Sequence, residues 1–200
     1  MAKTKVLVTG MAGRIAGIIR ERLGETFELS GLDLAPVAGV RSFVGDLADL
    51  DSVKPAFEGQ EAVVHLGADA RGEAPWTSVL SNNILGTHNV LEAAREAGVA
   101  RVVFASSNHV VGYVAEKEEP YKSVFDGRFG DVRYPFPLVA ADRVRPCCFY
   151  AVGKAAGETL GSLYHDQYGI SFIALRIGGV LMEEGWQRGS PGGLAMWLSH

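Results

Sequence analysis

An α/β fold is what this sequence predicts: a doubly wound parallel sheet covered by helices on both faces. Three observations carry that expectation. Short apolar, β-rich runs alternate with helical patterns along most of the chain, and such alternation argues for a parallel sheet. The 25 glycines gather at turns between these segments rather than in a low-complexity tract. With 200 residues, 48% hydrophobic and 21% charged, the chain suits one globular domain with a sizeable core.

Each element has its own signal. Residues 5–9, Lys-Val-Leu-Val-Thr, read as a short buried strand. Residues 13–23 read as a helix with Ile15, Ile18, Ile19 and Leu23 on its inner face. Strands follow at 27–33 and 40–44, then a short helix at 49–57. A fourth strand covers 62–66 and leads into a long helix ending near Ala97. A fifth strand at 101–106, a helix at 150–168 and a sixth strand at 171–177 complete the alternation. Residues 113–149 fit neither period. They hold Pro120, Pro135, Pro137 and Pro146, with aromatics at Tyr121, Phe125, Phe129, Tyr134 and Phe136. This insertion reads either as a flap over a site or as a surface excursion.

The bulk numbers exclude some partners. A net charge of −4 and the lack of a Lys/Arg-rich run argue against nucleic acid. No apolar run is long enough to span a bilayer, and the N-terminus runs straight into a strand with no signal-peptide pattern. A soluble cytoplasmic protein is the expectation. Cys147 and Cys148 are neighbours, poorly placed for a disulfide and part of no set with metal-ligand spacing. They read as buried or idle thiols, and no metal is expected.

The first strand ends in Thr9-Gly10-Met-Ala-Gly13-Arg-Ile-Ala16 and opens a helix. Glycines there allow a tight turn and close approach of backbone to a pyrophosphate at a helix N-terminus. Ala16 stands in place of a third glycine. Asp33 ends the second strand, 23 residues after Gly10. A carboxylate there can bond the ribose hydroxyls of NAD and repel the extra phosphate of NADP; it can also simply cap a turn. Arg14 points the other way, toward NADP, but Asp33 outweighs it. The unit is Rossmann-type, and NAD is the expected cofactor, lined by Gly10, Ala12, Gly13, Arg14, Ile15 and Asp33. Asp46 and Leu47 after the third strand suit an adenine contact. Leu66, Gly67 and Ala68 suit backbone passing close to the cofactor. His65, inside an apolar strand, reads as a buried, satisfied histidine.

Tyr150 and Lys154 lie four apart and therefore on one helix face, one turn from each other. A phenol with a pKa near 10 is a poor base; a neighbouring ammonium is expected to lower that value. Alone, the pair is common by chance. Here it follows a glycine turn, an acidic strand end and Ser106-Ser107, in the order a nicotinamide-dependent enzyme uses.

Taken with Asn83-Ile-Leu-Gly86-Thr87 and Gly45-Asp46-Leu47, these motifs resemble the extended short-chain dehydrogenase/reductases, the NAD-dependent epimerase/dehydratase family. The match runs from the first strand to the sixth. Phe104-Ala-Ser-Ser-Asn-His-Val-Val-Gly112, Arg176-Ile-Gly178 and Trp197-Leu-Ser-His200 look like the uronate dehydrogenases and related hexose dehydrogenases. The resemblance implies Ser107 as the catalytic Ser, Tyr150 as the base, and Lys154 as its partner and a holder of the nicotinamide ribose. It implies Asn83 as the structural Asn beside that Lys, and Ser107, Asn108 and His109 facing the sugar. The chain departs from the family at Ala70 and Gly179, which stand where it has Ser, and in the longer stretch before Tyr150. The family's carboxylate-clamping Arg falls on Arg188 counting from Arg176, and on Gly192 counting back from Trp197; Arg188 is taken. The family continues beyond a Trp-Leu-Ser-His segment, so the C-terminal substrate part is expected to be truncated.

The implied reaction is oxidation of a sugar or uronic acid hydroxyl, at the anomeric carbon, to a lactone. The alternatives are a nucleotide-sugar epimerase or dehydratase that retains NAD, and a non-catalytic NAD-binding protein. Leu80, Ile84, Val90, Leu91, Leu160, Leu163 and Tyr164 are either a homodimer face or core packing.

Overall fold

A computed structural model of the chain describes residues 2–133, 135, 137, 139–140, 142–180 and the backbone of 197–198. Six parallel strands form one sheet in the order β3-β2-β1-β4-β5-β6. β1 (Lys5–Thr9) lies between β2 (Glu28–Asp33) and β4 (Ala62–His65). β3 (Arg41–Val44) flanks β2, while β5 (Arg101–Ser107) and β6 (Ser171–Ile177) extend the other side. Val6 faces Ala62 across one ladder, and Arg101 faces Ser171 across another. The chain steps one way from β1 to β3 and returns to the opposite side at β4. That reversal opens a crevice at the C-terminal ends of β1 and β4, where ligands bind in such sheets. A separate two-stranded parallel pair joins β7 (Gly179–Val180) to β8 (Trp197–Leu198).

Both faces of the sheet are covered, as parallel strands require. Leu7 belongs to a large cluster with Leu32, Phe57, Val63, Leu91 and Val102. Val8, the next residue, points to the opposite face and packs with Met11 and Ala16. α1 (Arg14–Leu23) covers this second face. Its contact residue is Ala16, fully buried, whereas Ile15, Ile18 and Ile19 are half-buried and Leu23 is exposed. The apolar stripe expected from the sequence is therefore shifted. Close packing of a helix on the strand behind a glycine turn takes a small residue at the point of contact.

α2 (Leu50–Val53) is capped by Asp49, whose side chain accepts from the Asp51 and Ser52 amides, and it continues as a 3-10 turn over Lys54–Ala56. The long helix before β5 is not uniform. α3 (Trp76–Ser78) passes into π-helical turns over Val79–Leu85 and then into α4 (Gly86–Glu96). Such turns recur at functional sites. Val90, Leu91 and Tyr164 are core, while Leu80 and Leu163 are exposed.

Residues 113–149 contain more helix than their apolar pattern suggests: α5 (Gly112–Lys117) and α6 (Tyr121–Phe125). Val114 anchors α5 in the core, and ion pairs lie around the two helices. Glu118 accepts from Arg143 at 2.6 Å and pairs with Arg145. Lys122 reaches Asp126 at 2.6 Å, one turn on. Arg176 donates to the Arg143 carbonyl at 2.9 Å and ties the segment to β6.

α7 (Phe149–Tyr168) packs through a face of Ala151, Gly153, Lys154, Gly157 and Gly161. Each glycine inside a helix costs about 1 kcal/mol relative to Ala. The reason is contact distance: a Cβ on Gly157 would lie 2.5 Å from the Phe104 ring, which is itself buried. Gly157→Ala is therefore expected to destabilise the protein by about 1–3 kcal/mol despite its better helix propensity. Urea unfolding measures this; a stabilised variant would contradict the packing described.

Candidate functional site

The crevice between β1 and β4 is a cleft of about 960 Å³. Its floor depends on two glycines. Gly10 has φ +71°, and a Cβ there would lie 2.8 Å from the Gly67 amide nitrogen. A Cβ on Gly67 would meet the Leu47 side chain at 2.5 Å. The strand ends thus approach more closely than any side chain permits, leaving backbone to line the cleft. Asp33 ends β2 with one carboxylate oxygen accepting from the Ala12 amide at 2.8 Å and the other from the Leu34 amide at 2.8 Å. It both caps the glycine turn and presents its charge to the cleft. Asp46 accepts from the Ala48 amide at 2.9 Å. Arg14 reaches the Val180 carbonyl at 2.8 Å, across the mouth.

A buried hydrogen-bond chain runs behind this floor. The Gly67 amide donates to Thr9 Oγ1 at 3.2 Å, and Thr9 Oγ1 lies 2.7 Å from His65 Nδ1. His65 Nε2 lies 3.0 Å from Thr87 Oγ1, which donates to the Asn83 carbonyl at 2.6 Å. Because the Thr87 hydroxyl proton is used there, His65 Nε2 carries the ring proton and Nδ1 accepts from Thr9. Burial, then the Lys154 charge, lower the His65 pKa to about 3, which keeps the ring neutral. His65 is the satisfied histidine expected from the sequence.

At the other end of the cleft, Ser107 ends β5 and accepts from the His109 amide at 3.2 Å. Asn108 and His109 follow in a 3-10 turn. Tyr150 and Lys154 come from the first turns of α7, and the rings of His109 and Tyr150 stand edge to face at 6.2 Å. Lys154 is 3% exposed; its Nζ lies 4.8 Å from the Phe104 ring centre and 5.7 Å from that of Tyr150. Burial lowers its pKa to about 8. The sequence leads one to expect that Lys154 lowers the Tyr150 pKa. Instead, burial raises it, opposed by a hydrogen bond from Ser107. The ammonium sits over the ring face rather than against the hydroxyl, and desolvation of the phenolate wins.

Every cofactor-lining residue expected from the sequence lies on the cleft wall except Asn83, as do Ser107, Asn108 and His109. Asn83 is buried within the π-helical turns. It accepts from the Asp69 amide at 2.8 Å and donates to the Asp69 carbonyl at 3.0 Å, and it packs on Gly153 beside Lys154. It positions the β4 exit and does not face the cleft. Arg188 lies outside the described residues. Among the described residues, none between 113 and 149 lines the cleft.

Two features of the site have no motif. Asp69, Arg71, Ser78 and Asn82 line the cleft after β4. Asp69 accepts from Arg71 at 2.6 Å and from Ser78 at 2.6 Å, and the Arg71 bond leads the causes that hold its carboxyl well below the usual range. Their position at the C-terminal end of a parallel strand is the signal that could have found them. Behind Ser107, Arg176 donates to Glu158 through two nitrogens at 2.9 and 2.7 Å, and Ser106 also donates to that carboxylate. Burial opposes the Glu158 charge, yet these bonds outweigh it and lower its pKa. Glu158, one turn after Lys154, thereby fixes α7 to the ends of β5 and β6.

A buried lysine with pKa about 8 instead of the ordinary 10.5 penalises the charged form by roughly 3 kcal/mol. The unfolded chain binds the extra proton between those values, so the penalty is full below pH 8 and fades toward pH 10.5. Lys154→Met is expected to raise stability at pH 7 by about 1–3 kcal/mol. The gain should shrink as urea titrations move above pH 8; a destabilised variant would contradict the burial.

The comparisons with known proteins converge on one group. The model of the NAD dependent epimerase/dehydratase family matches residues 6–189. NAD-dependent glucose-6-phosphate dehydrogenase of Haloferax volcanii is 38% identical over 98% of this chain and 75% of its own length. Uronate dehydrogenase of Pseudomonas syringae pv. tomato is 34% identical over 98% of this chain and 65% of its own. Among solved structures, a uronate dehydrogenase mutant from Agrobacterium tumefaciens complexed with NAD superposes with TM-score 0.72 at 35% identity, covering 89% of this chain and 62% of that one. The chain thus spans between 62% and 75% of the length of these relatives.

Proposed function

This chain belongs to the NAD dependent epimerase/dehydratase family, and we propose that it is an NAD-dependent dehydrogenase of a free sugar or sugar acid. The observation that carries the reading is Tyr150 and buried Lys154 beside Ser107, at the end of a cleft whose other end is the Gly10 turn and Asp33. The fit of a dinucleotide rests on the cleft itself: a glycine floor that a Cβ would fill, and a carboxylate fixed at the end of β2. Gly10, Ala12, Gly13 and Ile15 would hold the pyrophosphate by backbone approach. Asp33 would take the adenosine ribose, Asp46 and Leu47 the adenine, and Leu66, Gly67 and Ala68 the passage between strands. NAD, when bound, accepts the hydride that leaves the sugar carbon.

The chain's own residues supply the rest. Ser107 Oγ holds the substrate hydroxyl against Tyr150, whose oxygen takes the hydroxyl proton as the C–H bond gives up its hydride. A phenol raised by burial is neutral at pH 7, so the phenolate must form in the loaded site. Lys154 is the positive charge the chain provides for it, and with pKa about 8 it remains mostly protonated at pH 7. Asn108 and His109 face the sugar from the turn after β5, and Arg188 is the proposed clamp for an acidic group. With the anomeric hydroxyl as donor, the product is a lactone. The names of the relatives, glucose-6-phosphate and uronate dehydrogenases, support a sugar carrying an anionic group. Leu80, Leu85, Val152 and Leu163 leave apolar surface exposed on the π-helical turns and α7, which supports a second copy of the chain as partner. Among the described residues no helix is long and apolar enough to cross a membrane.

NADH formation with NAD and a panel of sugars, sugar phosphates and uronic acids tests the reading. Turnover is expected with NAD and not NADP, and Tyr150→Phe should lower kcat by at least about 100-fold while leaving NAD affinity within a factor of about two. Normal turnover in that variant would sink the assignment. Asp33→Ser is expected to erode the preference for NAD over NADP; an unchanged ratio of the two kcat/KM values would remove Asp33 from the ribose site.

A further inference from the structure

Three side chains with soft donor atoms meet at the rim of the cleft. His109 stands in the turn after β5, and Cys147 and Cys148 immediately precede α7. One donor atom from each lies within 4.8 Å of the other two. His109 Nδ1 is 3.2 Å from Cys147 Sγ, and that thiol is 3.7 Å from the His109 carbonyl. The backbone builds this proximity. The Arg145 amide donates to the Val110 carbonyl at 2.8 Å, and the Tyr113 amide to the Arg145 carbonyl at 3.1 Å, pairing the end of the excursion with its start. Gly112 leaves the room: a Cβ there would lie 2.4 Å from Cys147 Sγ. Both thiols are free and half-buried.

The geometry points to a site for one soft divalent cation of the zinc class, held by His109 Nδ1, Cys147 Sγ and Cys148 Sγ at the edge of the cleft beside Tyr150. Zinc bonds thiolate at about 2.3 Å and imidazole at about 2.0 Å, so tetrahedral ligands sit roughly 3.5–3.8 Å apart. The three donor atoms, no more than 4.8 Å from one another, need side-chain adjustments of only about 1 Å to close on an ion. Thiolate with imidazole selects zinc-like ions over the oxygen-seeking magnesium and calcium. Each thiol gives its proton to solvent on binding, and the imidazole binds neutral. The fourth position is open to water, and the Glu116 charge acts on both His109 and Cys147. An ion there fixes the His109 ring that faces Tyr150.

The full chain, reduced and free of metal, is titrated with cobalt(II) as a spectroscopic probe and then with zinc. One equivalent of cobalt is expected to give thiolate-to-metal charge transfer in the near ultraviolet and visible bands of tetrahedral intensity, and zinc should abolish both. Cys147→Ser and Cys148→Ser should each weaken zinc binding by at least about tenfold. The double variant should give no charge-transfer band while its circular dichroism stays that of the parent. Lack of the band in the parent chain, or its survival in the folded double variant, overturns the site.

Discussion

The burial of Lys154 is the constraint on which the rest of the site depends. An ammonium held 3% exposed against the faces of Phe104 and Tyr150 is costly, because the surroundings replace water with weakly polar rings. The fold brings it there by stripping side chains from the helix that carries it. Gly153 lets α7 settle on Val79 and Asn83, and Gly157 lets it settle on Phe104. Each of those glycines weakens the helix on its own. The site is therefore stabilised from outside, by the apolar cluster around Leu7, Phe57, Val63, Leu91 and Val102. Such a division sets a locally costly site on a well-packed scaffold.

The two halves of the cleft are mechanically one. From the glycine turn, the chain of hydrogen bonds through Thr9, His65 and Thr87 ends on the carbonyl of Asn83. Asn83 in turn grips the backbone of Asp69 and abuts Gly153, the neighbour of Lys154. The neutral state of His65 is needed for the Thr9 link to be satisfied, since a proton on Nδ1 would take away the acceptor of the Thr9 hydroxyl while leaving the Nε2 bond to Thr87 in place. On the far side, the Arg176–Glu158 pair and Ser106 fasten α7 to the sheet one turn beyond Lys154. Ser107 and Tyr150 are thus set by two independent braces.

Much of this was legible in the residues. The order of strands and helices followed from apolar period, and the crevice from Gly10, Gly67 and Asp33, because those positions need a particular backbone or a particular charge. The satisfied state of His65 followed from its apolar setting. What stayed hidden is information carried by three-dimensional neighbours. The stripe on α1 centres on Ala16 because contact distance, not hydrophobicity, decides which residue faces the strand. The behaviour of Tyr150 depends on burial and on where the Lys154 ammonium points, neither of which a spacing of four residues reveals. The helices in residues 113–149 span only six and five residues, with Val114 the one apolar side chain of theirs that is fully buried, so an apolar period had little to find. The contact between Cys147 and His109 stayed hidden because the two lie 38 residues apart in sequence.

The most direct test is the titration of Lys154 itself, followed by NMR on lysine labelled at the ε position, with Lys154→Arg to identify the resonance. A midpoint well below the ordinary value, lowered by burial to about 8, is the expected result. A midpoint at the ordinary 10.5 would mean that the ammonium is solvated, and the account of a buried charge beside Tyr150 would fall with it.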